Sequence, residues 1–380
     1  MRADSRAAAP VAGHVEPGFE PVRDAFAAAF TDDGELGAAF AAYRDGEPVV
    51  DLWGGVADAR TGAPWRPDTM QLIFSGTKGL VAVCLLLLVD RGRLRLDRPV
   101  AAYWPEFAAA GKGGVLVRDV VAHTARLPGL TTPVTWREAT DATRMAALVA
   151  AQPQSNDRRA ADTYHTLTFG WLCGELLRRI DGRTVGRFFA EEVAGPLGIE
   201  AWIGLPAALE PRVARLELDL HAPGPPEHDA FARSVLANPV RRERLGFPGN
   251  ERAWHAAEVP AANGIATARA VALLYGRLDR LVGAATLDLA RRPLSVRVDP
   301  LHGGAMAFGV GFQVQTEAQP FGPPPDAFGH GGFGGSLHGR WPGSRVGFSY
   351  ATNLLRDDPG DRRAARVLAA LHDCLADGPR

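Results

Sequence analysis

The 380-residue sequence contains almost no lysine. Lys78 and Lys112 are the only lysines among 42 basic residues, so arginine carries nearly all of the positive charge. Arginine serves as well as lysine for most surface charges, but it cannot become a neutral amine near neutral pH. Each of the two lysines is therefore a candidate functional group.

Cysteine is also scarce, which excludes a disulfide framework and a cysteine-based zinc site. Cys84, Cys173 and Cys374 lie far apart, are odd in number and form no Cys-x-x-Cys pair. Reduced thiols of this kind are typical of a reducing compartment. We expect no metal and no other cofactor.

The sequence lacks both a charge excess and a long hydrophobic segment. Its formal net charge of −1 removes the electrostatic argument for a nucleic-acid or membrane-surface partner. The longest apolar run, residues 80–89, is half of the roughly 20 residues that span a bilayer, and it predicts a buried helix. Residues 1–20 lack the apolar core of a signal peptide. These features predict a cytoplasmic protein, and they indicate no oligomeric state.

Strand patterns occur at both ends of the chain and helical patterns between them. Residues 36–53 predict a hairpin that turns at Asp45-Gly46, and residues 306–315, 327–338 and 345–353 predict three more strands. The fold class is therefore α+β, with an antiparallel sheet built from both termini and flanked by helices, plus a mainly helical subdomain. We expect residues 1–92 and 291–380 to form one α/β half, and residues 93–290 to form a mainly helical half.

A serine and a lysine are spaced by one helical turn in Ser75-Gly76-Thr77-Lys78, at the start of the apolar helix. Side chains three residues apart share a helix face, so the amine of Lys78 can reach the Ser75 hydroxyl. A lysine with a depressed pKa could then take the serine proton. The alternative is an N-cap serine followed by a solvated lysine, which is a common arrangement.

Two further features could carry chemistry. Tyr164-His165-Thr166 precedes a predicted helix, and such a tyrosine is either a proton carrier or a half-buried core residue. Residues 329–336 contain five glycines around His330, which weakens an ordinary strand and allows close approach of a ligand. A strand edge there could offer a free N–H to a developing oxyanion.

In this order and at these separations, Ser75-x-x-Lys78, Tyr164-x-Thr166 and His330-x-Gly332 resemble the serine β-lactamase and penicillin-binding-protein superfamily. Within it, the sequence is most similar to the class C-like branch that includes the family VIII carboxylesterases. Segments 118–130, 164–199 and 261–268 also resemble that branch, and the likeness spans about residues 35–355. The resemblance implies the β-lactamase/transpeptidase-like fold, with the active site in a cleft between the two halves.

The same resemblance implies a role for each motif residue. Ser75 is the nucleophile that forms an acyl-enzyme, Lys78 activates it, and Tyr164 acts with Lys78 as base and then protonates the leaving group. The backbone N–H groups of Ser75 and Phe333 form the oxyanion hole. His330 stands where penicillin-recognising relatives carry a lysine. The residues placed at the substrate-binding surface are His330, Gly331, Gly332, Thr166, Arg126 and Trp341.

Departures from the family pattern bear on the substrate. Thr166 replaces an asparagine that helps to hold a β-lactam amide, and His330 replaces a permanent cation. Arg126 occupies a position where close relatives often carry glycine. Phe333 and Trp341 are expected to add bulk near the acyl pocket.

The sequence therefore predicts a serine hydrolase that cleaves small carboxylic esters through an acyl-Ser75 intermediate. One alternative is an acyltransferase, in which an amine or alcohol replaces water as acceptor. Others are a β-lactamase or D-amino-acid peptidase, and a binding module that has lost catalysis. The partner is a small ester or acyl donor in the leading hypothesis.

Overall fold

A computed structural model describes residues 11–221, 224, 226–239, 248–358 and 360–377 of the chain. Most strands lie near the two ends of the chain. The strands are β1 (Val11–Val15), β2 (Gly37–Arg44), β3 (Glu47–Asp58), β4 (Ala63–Pro64), β5 (Gln71–Leu72), β6 (Ala201–Ile203), β7 (Glu217–Asp219), β8 (Gly264–Ala266), β9 (Ser295–Val298), β10 (Ala305–Phe308), β11 (Gln313–Val314), β12 (Phe328–Gly331), β13 (Leu337–Trp341), β14 (Val346–Thr352) and β15 (Leu354–Arg356).

One large antiparallel sheet joins the two ends of the chain. Its strand order is β1-β3-β2-β14-β13-β12-β11-β10-β9, and β4 pairs with β3. The central contact is β2 against β14, in which Ala38–Arg44 pairs with Val346–Thr352. The predicted α+β class, with a sheet drawn from both termini, is confirmed. Two small sheets, β5-β8-β6 and β15-β7, lie apart from it.

The glycine-rich segment differs from the sequence prediction. The hairpin over residues 36–53 is confirmed, with Asp45 and Gly46 both at positive φ. The single strand predicted over 327–338 is wrong, because β12 ends at Gly331 and β13 begins at Leu337. The single strand predicted over 306–315 is wrong as well, because it is divided into β10 and β11, which pair antiparallel. Gly334 and Gly335 have φ values of +87° and +111°, which turn the chain instead of extending it.

Helices fill most of the segment between the two sets of strands. They are α1 (Glu20–Thr31), α2 (Gly76–Asp90), α3 (Val117–Val121), α4 (Trp136–Ala139), α5 (Ala142–Ala151), α6 (Thr168–Asp181), α7 (Val185–Phe189), α8 (Gly195–Leu197), α9 (Ala230–Leu236), α10 (Arg252–Ala256), α11 (Ala268–Gly276), α12 (Leu278–Leu281), α13 (Ala284–Arg291) and α14 (Arg363–Asp377). Residues Ala190–Ala194 form a π-helical turn. Short 3₁₀ turns are Val100–Ala102, Pro105–Gly111, Arg158–Ala161, Ala207–Arg212 and Pro248–Asn250.

Helices cover both faces of the large sheet. On one face, α1 and α14 pack through residues such as Phe26 and Leu371 against Phe40, Trp341 and Tyr350. On the other face, α11 packs on β14 and β2, and α2 packs on β12. This second face carries the candidate functional residues.

Helix α2 is apolar all round, and the structure buries it completely from Gly76 to Leu88. A helix with no polar face must lie inside the protein. Its buried position brings the Ser75–Lys78 turn into the interior beside β12 and β8. The described residues contain no helix long and apolar enough to cross a bilayer. The division into the two predicted halves stays a prediction.

Candidate active site

Ser75 lies at the first turn of α2, after a strained residue. Ile73 follows β5 and is held to β8 because its N–H donates to the Gly264 carbonyl oxygen, at 2.9 Å. The Gly264 N–H in turn donates to Oγ1 of Thr77, at 2.7 Å. Phe74 has a φ of +47°, which costs energy for a bulky side chain. This turn places the Ser75 hydroxyl at the positive end of the helix dipole.

Lys78 is buried with its amine directed at Ser75. Its Nζ atom lies 3.0 Å from Ser75 Oγ and donates to the Ala261 carbonyl oxygen at 2.9 Å. The residue has no exposed surface, and no carboxylate in the described part of the chain forms an ion pair with it. Burial therefore lowers the pKa of Lys78 well below its usual 10.5. Burial thus favours the neutral amine, which is the form that can accept a proton.

Tyr164 completes the group around the Ser75 hydroxyl. Its ring lies under the Lys78 amine, with Nζ 4.8 Å from the ring centroid. Burial raises the pKa of the phenol above its usual value, and a hydrogen bond with Ser75 lowers it by less. The phenol is therefore protonated in the resting site. It can carry a proton between the serine, the lysine and a bound molecule.

Buried side chains hold the backbone on both sides of the Tyr164 ring. The Tyr164 N–H donates to Oδ2 of Asp299 at 2.6 Å, and the His165 N–H donates to Nδ1 of His123 at 3.1 Å. The ring is stacked on Phe308, with centroids 5.7 Å apart, and also contacts the His123 ring. Tyr164 is thus fixed by two hydrogen bonds and by packing on its ring.

His330 belongs to β12 and lies next to Tyr164. Its imidazole is neutral. Its Nδ1 donates to the Gly331 carbonyl oxygen at 2.8 Å, which leaves Nε2 as an acceptor 3.4 Å from the Tyr164 hydroxyl. Burial, with a further contribution from Lys78, lowers the pKa of His330 well below its usual 6.5. The ring therefore supplies no permanent positive charge to the site.

The backbone N–H groups of Ser75 and Phe333 are available for a hydrogen bond with a bound molecule. Within the described residues, neither the Ser75 N–H nor the Phe333 N–H donates to an acceptor. The Phe333 ring contacts the Phe74 ring edge-on, with centroids 5.8 Å apart. A Cβ on Gly332 would lie 2.5 Å from the Ile73 carbonyl oxygen, so the glycine allows the two turns to touch. This pair of N–H groups can bind an oxygen that gains negative charge.

Three other predicted site residues line the same region. Gly331 donates its N–H to Oε1 of Gln313 at 2.9 Å, and Gly332 donates to the Ser336 carbonyl oxygen at 2.8 Å. Thr166 follows Tyr164 by two residues, and its buried Oγ1 has no hydrogen-bond partner among the described residues. Their contact with a substrate stays a prediction.

Two predicted substrate-binding residues have other surroundings. Trp341 is fully buried on the α1/α14 face of the sheet, and its indole donates to the Phe321 carbonyl oxygen. The expectation that Trp341 adds bulk near the acyl pocket is therefore wrong. Arg126 has a φ of +57°, and its guanidinium donates to the carbonyl oxygens of Ser155 and Asp157. It lines a separate cavity of about 210 Å³, and its contact with a substrate stays a prediction.

The groups that orient the motif residues do not stand out in the sequence. Asp299 holds Tyr164 across 135 positions of sequence, and the Ala261 carbonyl holds Lys78 across 183. Segment 261–268 was part of the family resemblance, which marked it as a segment of interest. The resemblance did not indicate that the Ala261 carbonyl accepts a hydrogen bond from Lys78. In the described residues, no cluster of three or more His, Cys, Asp or Glu side chains could hold a metal ion.

Known proteins similar to this chain include esterases. Residues 22–372 match the Beta-lactamase family. The chain is 35% identical to the esterase/beta-lactamase LipL of Mycobacterium tuberculosis, over 91% of this chain and 83% of LipL. A family VIII carboxylesterase superposes with a TM-score of 0.87 at 37% identity, covering 96% of this chain and all of that one. A penicillin-binding protein homolog from Caulobacter crescentus gives 0.86 at 35% identity, with the same coverage. The predicted β-lactamase/transpeptidase-like fold and the resemblance to family VIII carboxylesterases are confirmed.

The carboxylate that holds Tyr164 predicts a measurable effect of pH on stability. Burial alone would raise the pKa of Asp299, but hydrogen bonds from His302 and the Tyr164 N–H lower it to about 2 from the usual 3.8. A carboxylate with a lowered pKa stabilises the fold above pH 4, and this contribution is lost as the pH falls toward 2. It amounts to about 2 kcal/mol at pH 6 and about half of that at pH 3.

In Asp299→Asn, the free energy of unfolding should therefore fall by more at pH 6 than at pH 3. Urea denaturation at the two pH values measures the difference. The control is Asp288→Asn, at an exposed carboxylate paired with Arg291, which should change the free energy of unfolding little because exposed ion pairs contribute little. An Asp299 effect that is the same at both pH values would contradict the argument.

Proposed function

This chain belongs to the Beta-lactamase family, and we propose that it hydrolyses small carboxylic esters through an acyl-Ser75 intermediate. It is a serine hydrolase of the esterase type, like the relatives described above. The observation that supports the mechanism is the buried Lys78 amine, which lies 3.0 Å from the Ser75 hydroxyl. Among the described residues, no carboxylate pairs with this amine. A nucleophile next to a neutral base is what covalent catalysis requires.

In the first half of the reaction, Ser75 Oγ attacks the ester carbonyl carbon and its proton passes to Lys78 Nζ. The carbonyl π electrons move to the oxygen, which the N–H groups of Ser75 and Phe333 stabilise. The tetrahedral intermediate then collapses and the bond to the leaving oxygen breaks. Tyr164 donates its hydroxyl proton to that oxygen, and the Lys78 ammonium returns a proton to the phenol.

The second half repeats these steps with water as nucleophile. Water attacks the acyl carbon, Lys78 again takes the proton, and Ser75 leaves with a proton supplied through Tyr164. An amine or alcohol that reaches the acyl-enzyme first would give acyl transfer through the same steps. Among the described residues around Ser75, no feature favours transfer, so hydrolysis is the leading activity and transfer the alternative.

The surroundings of Ser75 favour neutral, apolar esters over β-lactams. Phe74 and Phe333 present an aromatic edge next to the nucleophile, and the Phe333 side chain is 40% exposed. His330 is neutral and offers no ion pair to a β-lactam carboxylate. Thr166 has one short hydroxyl, where an asparagine amide would reach further and offer two N–H donors beside a separate carbonyl acceptor.

The cytoplasm is the proposed location. Cys84 and Cys173 are both buried as free thiols. Reduced cysteines are the rule in reducing compartments.

Replacement of the nucleophile provides the direct test. Ser75→Ala should reduce ester turnover by several orders of magnitude while the fold persists, because no other group replaces the attacking oxygen. Circular dichroism checks the fold, and mass spectrometry after incubation with an activated ester should show an acyl group on the wild-type chain alone. Ser344→Ala, in the turn between β13 and β14, serves as control. Retained turnover in Ser75→Ala would require another nucleophile, and an inactive, unacylated wild type would favour the non-catalytic alternative.

Replacing Lys78 with arginine tests whether Lys78 acts as a base. Lys78→Arg should lower kcat as much as Lys78→Ala, because the guanidinium keeps its proton near neutral pH. The same exchange at Lys112, whose ammonium donates to the carbonyl oxygens of Ala109 and Ala150, should affect thermal stability more than kcat. Substantial turnover in Lys78→Arg would mean that position 78 acts only as a fixed charge.

Substrate preference should follow the neutral character of the site. The value of kcat/KM should be much higher for nitrophenyl acetate or butyrate than for a chromogenic cephalosporin, because unpaired polar groups weaken binding of the β-lactam transition state. Spectrophotometric assays of both reactions measure it. Ring opening as fast as ester cleavage would favour a β-lactamase. Product formation only after an amine is added would favour the acyltransferase.

A further inference from the structure

A buried ion pair lies directly behind the turn that carries the Phe333 N–H. The Arg363 side chain is 1% exposed and the Glu35 side chain is fully buried, with Nη1 of Arg363 2.9 Å from Oε2 of Glu35. Glu35 comes after α1, whereas Arg363 is the first residue of α14. The pair therefore connects the two helices that cover the far face of the sheet.

The Arg363 guanidinium uses donors on all three of its nitrogens. Nε donates to Asp361, Nη1 to Glu35, and Nη2 to the Gly334 carbonyl oxygen at 3.1 Å. Nη1 also donates to the Leu354 carbonyl oxygen at 3.0 Å. Glu35 is equally saturated, since it accepts from the hydroxyls of Tyr350 and Thr352, at 2.7 and 2.9 Å. The network has one defined geometry, because moving Arg363 would break several hydrogen bonds at once.

The turn between β12 and β13, residues 332–336, is called the glycine turn. It lies between this network and the nucleophile. On one side, Gly332 is so close to Ile73 that an added Cβ would lie 2.5 Å from its carbonyl oxygen. On the other side, a Cβ on Gly335 would lie 2.9 Å from Nη2 of Arg363, and one on Gly334 would lie 2.7 Å from Cβ of Leu355. The Gly334 carbonyl accepts from Arg363 and from the Arg356 N–H at 3.2 Å.

Hydrogen bonds thus hold the backbone on both sides of Phe333. The Gly332 N–H is bonded to Ser336, and the Gly334 carbonyl is bonded to Arg363. Phe333 lies between them with an unengaged N–H and a 40% exposed side chain. Glycines at positive φ are flexible, so the turn needs an external support to keep that N–H in one direction.

Stability alone is a weak reason for such a pair. The desolvation of two buried charges offsets most of their attraction, and apolar residues of the same size often stabilise a fold equally well. Oxyanion stabilisation, in contrast, depends strongly on the position of each donor.

We propose that Arg363, held by Glu35, is a positioning residue that fixes the direction of the Phe333 N–H for the oxyanion hole. The inference rests on the proposed ester hydrolysis. Arg363 touches no substrate and acts only through the Gly334 carbonyl. Its loss should therefore weaken transition-state stabilisation and leave ground-state binding of the ester almost unchanged.

Arg363→Lys tests the proposal. The lysine ammonium keeps the charge next to Glu35 but lacks the fork that reaches Glu35 and the Gly334 carbonyl together. We expect kcat per active site to fall about 10-fold or more, with KM for nitrophenyl butyrate within about 2-fold of wild type. Active sites are counted from the amount of acyl-enzyme in mass spectra, so that partial unfolding is not mistaken for slow chemistry.

Arg366→Lys is the matched control. Arg366 lies one turn further along α14 and pairs with Asp32 and Asp33, so it ties the same helix to the same loop without touching the glycine turn. Its kcat per active site should stay within about 2-fold of wild type. Glu35→Gln is the second variant if Arg363→Lys does not fold, and it should lower kcat by a smaller factor because the amide still accepts from Arg363.

Amide hydrogen exchange gives a readout that does not depend on turnover. Exchange of the peptide containing residues 328–337 should accelerate in Arg363→Lys and not in Arg366→Lys, with the α2 peptide unchanged in both. Unchanged exchange and unchanged kcat per site in Arg363→Lys and Glu35→Gln would overturn the proposal. If Arg363→Lys has fewer active sites but a normal kcat per site, the proposal is wrong and the Arg363–Glu35 pair has a structural role only. Failure of the wild type to cleave esters, with accelerated exchange in Arg363→Lys, would refute the activity and leave the positioning contact in place.

Discussion

The chemistry of the site depends on one constraint, which is the burial of a lysine amine without a carboxylate partner. Lys78 lies inside an apolar helix, and its described neighbours are a hydroxyl, a carbonyl oxygen and an aromatic ring. A buried ammonium without a counter-ion is costly, so burial favours the neutral amine. A carboxylate in contact with the amine would favour the charged form instead. In the proposed mechanism, the apolar character of α2 therefore serves catalysis as well as packing.

The same burial determines the protonation states of the two groups next to Lys78. It keeps the proton on the Tyr164 phenol and off the second nitrogen of His330. Burial thus favours the uncharged form of the amine, the phenol and the imidazole alike. In the proposed mechanism, positive charge arises when Lys78 takes the serine proton, at the moment when the oxyanion forms. An uncharged resting site suits an uncharged ester better than an anionic β-lactam.

The sequence was most informative where spacing along one element determines contact. Three residues along a helix place Lys78 beside Ser75, and the Asp45-Gly46 pair specifies a tight hairpin. It was less informative where a side chain's surroundings depend on strand register. In β13, Leu337 and Trp341 face α1 and α14, whereas His338 faces α2. A one-residue uncertainty in where the strand begins moves Trp341 from one face to the other. The strand predicted over residues 327–338 ended before Trp341, so the expected position of Trp341 near the acyl pocket came from the family resemblance alone.

Long-range contacts were beyond sequence reasoning altogether. Nothing in the chain around Asp299 or Arg363 marks the first as the acceptor for Tyr164 or the second as the support of the glycine turn. Each of them contacts the site through a hydrogen bond with a backbone group, and any segment of the chain offers such groups. Motif residues are recognisable by their own chemistry, whereas the residues that orient them become visible only when the fold is known.

The scarcity of lysine acquires a physical meaning in the folded protein. Both lysines are fully buried, and both contact backbone carbonyl oxygens. At position 112 a compact ammonium fits between the carbonyls of Ala109 and Ala150, which a planar guanidinium would meet in a different geometry. At position 78 the amine has to lose its proton, which a guanidinium does not do. Arginine supplies the positive charge elsewhere, and lysine remains at the two sites where a guanidinium has the wrong shape or the wrong acidity.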